Sequence, residues 1–119
     1  MYKIKVESGF SSAHNLRGYK GKCEELHGHN WKVEAEVTAE EIDKTGMVLD
    51  FTFLKAKLNK ILEGMDHKYL NNIPYFKKVN PTSENIAGYI YDKLKASGIK
   101  ITSVTVWESE RARATYYEK

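Results

Sequence analysis

His27-Gly28-His29-Asn30-Trp31-Lys32-Val33-Glu34-Ala35-Glu36-Val37-Thr38 is the stretch on which the fold turns. Its odd positions carry His27, His29, Trp31, Val33, Ala35 and Val37; Lys32, Glu34, Glu36 and Thr38 fall between them. A period of two is the mark of a half-buried strand. Both imidazoles therefore point to the apolar side, away from bulk water. Gly28 between them leaves room for a bulge or a close backbone approach.

The preceding segment alternates in the same way. Tyr2, Ile4, Val6 and Phe10 stand on even positions, with Lys3, Lys5 and Glu7 between them. If that strand continues, Ser8, Ser12 and His14 share the face of the apolar residues. Asn15 to Lys22 contains Gly18 and Gly21 and reads as a loop. Downstream the period changes: Phe51, Leu54, Leu58, Ile61, Leu62 and Met65 recur at helical spacing, with Asp50 as a cap and Gly64 as a stop. A second helix follows Pro81, capped by Thr82 or Ser83, with Glu84 at the positive end of its dipole, a stripe of Ile86, Ile90 and Leu94, and Gly98 at its end. Asn71 to Asn80 between the helices is expected to be a long loop. Ile101 to Glu108 and Arg113 to Tyr117 read as a closing hairpin turned at Glu110 and Arg111. The order is ββααββ. An α+β domain over residues 1–119 is expected, with an antiparallel sheet and two helices on one face.

Composition narrows the function. The net charge of +3 comes from 19 basic and 16 acidic side chains with the signs interspersed, which gives no concentrated patch for nucleic acid. No run approaches the ~18 apolar residues of a membrane span, and Met1 to Val6 lacks the apolar region of a signal peptide, so a cytoplasmic protein is expected. Cys23 is the only cysteine, so no internal disulfide can form.

Three of the four histidines fall within sixteen positions, all in the inward phase. Antiparallel pairing of the first two strands could gather His14, His27 and His29. Three imidazoles with an open fourth position are the ligand set of many catalytic zinc sites. Neutral ligands leave the ion its full double charge and strong Lewis acidity. Cys23, four positions before His27, could close the site as a fourth ligand, or stay off the metal as an acid–base group whose thiolate the cation favours. Asp66-His67 follows the helix-ending glycine; a carboxylate beside an imidazole can orient it, although such a dipeptide is also a common solvated turn. Glu108 continues the inward phase of Val104 and Val106. A buried carboxylate needs a partner: either an arginine such as Arg111 or Arg113, or a ligand offering N–H donors.

In this order, Phe10-Ser11-Ser12-Ala13-His14, Cys23-x-x-x-His27-Gly28-His29, Val48-x-Asp50-Phe51, Asp66-His67, Pro81-Thr82-Ser83-Glu84-Asn85 and Trp107-Glu108 resemble the 6-pyruvoyl-tetrahydropterin synthase and 6-carboxytetrahydropterin synthase family over nearly the whole chain. The resemblance implies the tunnelling fold (T-fold): trimeric β-barrels that usually stack into a homohexamer, with active sites at subunit interfaces. The short spacing from Cys23 to His27 looks like the bacterial carboxytetrahydropterin type. It implies a lyase that converts 7,8-dihydroneopterin triphosphate to 6-carboxy-5,6,7,8-tetrahydropterin, acetaldehyde and triphosphate. That step belongs to 7-deazaguanine and queuosine biosynthesis, and the enzyme handles a pterin rather than RNA. Carried over by position, His14, His27 and His29 hold Zn2+. Cys23 is the general base, and His67, oriented by Asp66, is the second proton-transfer group. Glu108 anchors the pterin, and Thr82, Ser83 and Glu84 border it. Arg17, Lys22 and Arg111 are the cations expected at the triphosphate. Four alternatives stay open: pyruvoyl synthase activity on the same substrate, action on another pterin such as dihydroneopterin without phosphates, a non-catalytic zinc protein closed by Cys23, and a small basic RNA-binding domain.

Overall fold

The computed structural model describes residues 1–18 and 25–119. Its elements are β1 (Tyr2–His14), β2 (His27–Ala39), α1 (Phe51–Glu63), a 3-10 turn at Leu70–Asn72, α2 (Pro74–Lys78), α3 (Ser83–Ala96), β3 (Ser103–Ser109) and β4 (Ala112–Tyr117). The strands form one antiparallel sheet in the order β1-β2-β3-β4. α1 packs on β1, and α3 on β3 and β4. The fold is α+β, as the alternation and the helical spacing predict. Among the described residues no helix is long and apolar enough to cross a membrane.

One face of the sheet carries the core. Val6, Phe10, Trp31, Val33, Ala35, Val37, Val104 and Val106 meet Leu54, Leu58, Leu62, Ile86, Ile90 and Leu94 from the helices. Each fully buried aliphatic side chain contributes about 1.5–3 kcal/mol. The helix ends follow the expected chemistry. Asp50 accepts from the Thr52 N–H at 2.8 Å, and Gly64 closes α1. Thr82, not Ser83, caps α3 by accepting from the Asn85 N–H at 3.1 Å.

Two readings need correction. The stretch from Asn71 to Asn80 is not a plain loop, because it contains α2. Pro74 stands at the helix start, where its fixed φ fits and its missing N–H costs nothing, and Phe76 is fully buried beneath it. Phe51 is expected in the buried stripe of α1 but is 59% exposed; as the first helical residue it lies beyond the sheet's cover.

Gly9 matters for the pairing of β1 with β2. A Cβ there would lie 2.6 Å from the Trp31 carbonyl oxygen, a backbone atom that cannot move without moving the strand. Gly9→Ala is therefore expected to destabilise the fold by about 1–3 kcal/mol, read as a lowered midpoint in urea or thermal unfolding. An unchanged midpoint would show that the strands separate freely at this point.

Candidate metal centre

Register builds the cluster. β1 and β2 pair from Tyr2 opposite Ala39 to His14 opposite His27, with Ser12 opposite His29. His14, His27 and His29 thus share the helix-side face at one end of the sheet. Their rings meet edge to face, with centroids 4.5 Å (His14–His27), 4.8 Å (His27–His29) and 5.2 Å (His14–His29) apart. Trp31 closes the cluster toward the core. It lies 4.9 Å from His14 and 5.1 Å from His29, stacks on Phe10, and donates its indole N–H to the Ser12 carbonyl at 3.2 Å.

Backbone carbonyls fix two of the imidazoles. His14 Nδ1 lies 2.7 Å from the Pro81 oxygen, and His27 Nδ1 lies 2.8 Å from the Glu25 oxygen. A carbonyl can only accept, so each Nδ1 carries the proton and each neutral ring turns its Nε2 lone pair inward. The two Nε2 atoms face each other at 2.9 Å. Two lone pairs at that distance repel unless a proton or a metal ion lies between them. Burial disfavours a proton on His14, pushing it below the ordinary imidazole value of 6.5 against the help of the Pro81 carbonyl, and burial lowers His29 as well. A metal ion between the two nitrogens would resolve the conflict.

The fourth member is Glu108. β2 and β3 pair up to Lys32 opposite Trp107, and the β3–β4 register then shifts between Trp107 and Ser109. Glu108 stands in that irregularity, where a bulge re-aims a side chain. Its Oε1 lies 2.9 Å from His29 Nε2 and 4.0 Å from His14 Nε2. The partner is thus neither Arg111 nor Arg113, the bland options offered by the sequence. One donor atom from each of His14, His27, His29 and Glu108 lies within 4.8 Å of the others. This group could bind a metal ion, and its imidazole and carboxylate donors suit a divalent one.

The other expected site residues are spread more widely. Asp66 and His67 do form a pair, with His67 Nδ1 2.9 Å from Asp66 Oδ2. Asp66 Oδ1 accepts from the Ser11 N–H at 2.8 Å, and that contact, ahead of His67, holds its carboxyl below the usual range. His67 has a φ of 53° and is 82% exposed along the outer edge of β1. Among the described residues it has no contact with the three histidines. Thr82 and Ser83 lie next to Pro81, whose carbonyl holds His14, while Glu84 faces solvent. The Arg17 guanidinium is spent on the Phe76 and Val79 carbonyls at the end of α2, at 2.6 and 2.9 Å. Arg111 is exposed in the β3–β4 turn. Cys23 and Lys22 lie outside the described residues.

Sequence reading missed the supports of His14. Asn71 exchanges two hydrogen bonds with the Asn15 backbone, at 3.0 and 2.9 Å, and Asn80 exchanges two with the Arg17 backbone, at 2.9 and 2.8 Å. Each amide side chain pairs like a peptide group of a neighbouring strand. Their only sequence signal was turn-forming composition.

The lowered pKa values carry a sign. The ligand form of histidine is neutral, so protons displace a metal only as the pH falls through the folded-state pKa, which lies below 6.5 for His14 and His29. Metal-loaded protein dialysed at a series of pH values is expected to keep its ion at pH 6.5 and release it at lower pH. Release already complete at pH 6.5 would contradict the burial argument. His14→Ala removes a ligand outright and should weaken binding more than the ~10–100-fold typical of an outer partner.

A family model described as 6-pyruvoyl tetrahydropterin synthase matches residues 3–119. The chain is 37% identical over 123 residues to the 6-carboxy-5,6,7,8-tetrahydropterin synthase of Synechocystis sp., covering 98% of this chain and 94% of that protein. It is 33% identical over 142 residues to the protein of the same name in Haemophilus influenzae, covering 99% and 100%. The structure of Caenorhabditis elegans 6-pyruvoyl tetrahydropterin synthase matches it with a TM-score of 0.89 at 31% identity, over 99% of this chain and 96% of that one. Matched on all but its first two residues, the chain belongs to the 6-pyruvoyl tetrahydropterin synthase family.

Proposed function

We propose that this pterin synthase is a zinc-dependent carbon–carbon lyase. It takes 7,8-dihydroneopterin triphosphate and water to 6-carboxy-5,6,7,8-tetrahydropterin, acetaldehyde and triphosphate, in the route to queuosine. The observation that carries the metal side of this reading is the convergence of His14, His27 and His29 on one point, with two Nε2 lone pairs facing at 2.9 Å. The carboxy product is favoured by the two relatives of that name, which align along nearly their full lengths.

The roles are those the family resemblance implies, and the placement of the histidines supports the part given to the metal ligands. Bound zinc supplies Lewis acidity toward the side-chain hydroxyls of the substrate. His14 and His27, locked by backbone carbonyls, keep their lone pairs on the ion without rearrangement, and Trp31 excludes water from the core side. The Glu108 carboxylate accepts from the amino and ring N–H groups of the pterin. Thr82, Ser83 and Glu84 border the ring, and Cys23 is the general base. Asp66 keeps the Nδ1 proton on His67, which leaves Nε2 to move a proton at the side chain.

The exposure of the Asp66–His67 pair, away from its own histidine cluster, suits delivery to the site of a neighbouring copy in a homo-oligomer. Mixing His27→Ala with His67→Ala protein under conditions that exchange subunits is then expected to restore turnover that neither variant has alone. No recovery in verified mixed oligomers would put the pair and the metal in the same chain's site.

The substrate assignment is tested by incubating zinc-loaded protein with 7,8-dihydroneopterin triphosphate while following acetaldehyde and the pterin product. Acetaldehyde with 6-carboxytetrahydropterin is expected. A pyruvoyl product without acetaldehyde would instead assign the activity named for the nematode relative.

A further inference from the structure

We infer that Glu108 is an exchangeable fourth ligand of the metal in the resting protein, and that it leaves the ion when a pterin ring arrives. The inference rests on the metal and pterin reading above and adds a second position for one side chain.

Distances point to coordination. Four donors about 2.0–2.1 Å from a tetrahedral zinc stand about 3.3 Å from one another. The separations of 2.9 Å (His14–His27), 2.9 Å (His29–Glu108) and 4.0 Å (His14–Glu108) bracket that value. Glu108 Oε1 lies 2.9 Å from the buried His29 Nε2, a spacing that two ligands of one centre also adopt.

Coordination by all four groups would close the site, whereas catalysis needs an open position. Glu108 is the member suited to leave. It sits in the β3–β4 irregularity, off the regular ladder, and its side chain is 34% exposed against 2% for His14 and 23% for His29. The histidines are held by Pro81, Glu25 and Trp31. Among the described residues the Glu108 carboxylate contacts only His29 and His14, the other members of the cluster.

The exchange balances. The carboxylate leaves the ion as an anion and takes two N–H donors of the pterin in a paired contact. The position that Glu108 gives up would be open to a substrate hydroxyl, and no electrons change hands. Removing the carboxylate raises the net charge at the centre from one positive to two, so Lewis acidity rises only when the correct ring is present. A pterin lacking those donors would leave the ion closed.

The test uses the protein loaded with Co2+, whose visible absorption reports its ligands. Wild-type protein and Glu108→Gln are compared with and without 7,8-dihydroneopterin, with pterin binding followed by fluorescence. Glu108→Gln is expected to bind cobalt about 10-fold or more weakly and to show altered bands. Dihydroneopterin should shift the wild-type bands strongly and those of the variant little. Equal affinity and identical bands in the two proteins would overturn the inference while leaving the three-histidine metal site in place. Wild-type bands that stay fixed while the pterin binds would overturn the exchange; this arm needs no variant to fold. Wild-type protein that takes up no cobalt would remove the metal reading, and the inference with it.

Discussion

The register of β1 on β2 is the constraint on which the rest of the structure depends. Thirteen residue pairs run from Tyr2–Ala39 to His14–His27. Because side chains alternate across a strand, a slip of one residue would turn Val33, Ala35 and Val37 out of the core and the imidazoles with them. Core and candidate metal centre are consecutive stretches of one inward face. The hydrophobic burial that fixes the register therefore also places the three imidazoles. Gly9 lets the two backbones meet at Trp31, and the indole bond to Ser12 ties the strands at the end where the histidines stand.

The lone-pair conflict at the centre is sustained by its surroundings. His14 and His27 would relax by turning a ring if their Nδ1 protons were free, but the carbonyls of Pro81 and Glu25 hold them. The Pro81 carbonyl is held in turn. The N-terminal end of α3 fixes Pro81, while Asn71 and Asn80 pair with the backbone that follows His14. The helical layer thus sets the orientation of the ligands as well as covering the sheet. Metal sites depend on such outer partners for affinity.

Strain is placed beside the centre rather than within it. His67 adopts a left-handed backbone, which costs a non-glycine residue of order 1–3 kcal/mol. Its N–H donates to the Ser11 carbonyl at 2.6 Å, and the neighbouring Asp66 takes the Ser11 N–H. The edge of β1 thereby holds the strained turn and presents the imidazole outward. α1 delivers this segment, since Gly64 ends the helix just before it.

Alternation and helical spacing in the sequence determined the four strands, the two long helices, their caps and the inward phase of His14, His27, His29 and Glu108. These are local properties, written in the order of apolar and polar residues. The tertiary structure alone decided three other matters. α2 forms because Phe76 finds a buried place, which no local pattern announces. Asn71, Asn80 and Arg17 became supports of the site because folding brings positions some sixty residues apart to hydrogen-bonding distance. Glu108 joined the histidines, rather than an arginine, because the pairing of β3 with β2 brings its inward-phase carboxylate to 2.9 Å from His29. In each case the partner is distant in sequence, and only the packing of helices on the sheet determines which distant groups meet.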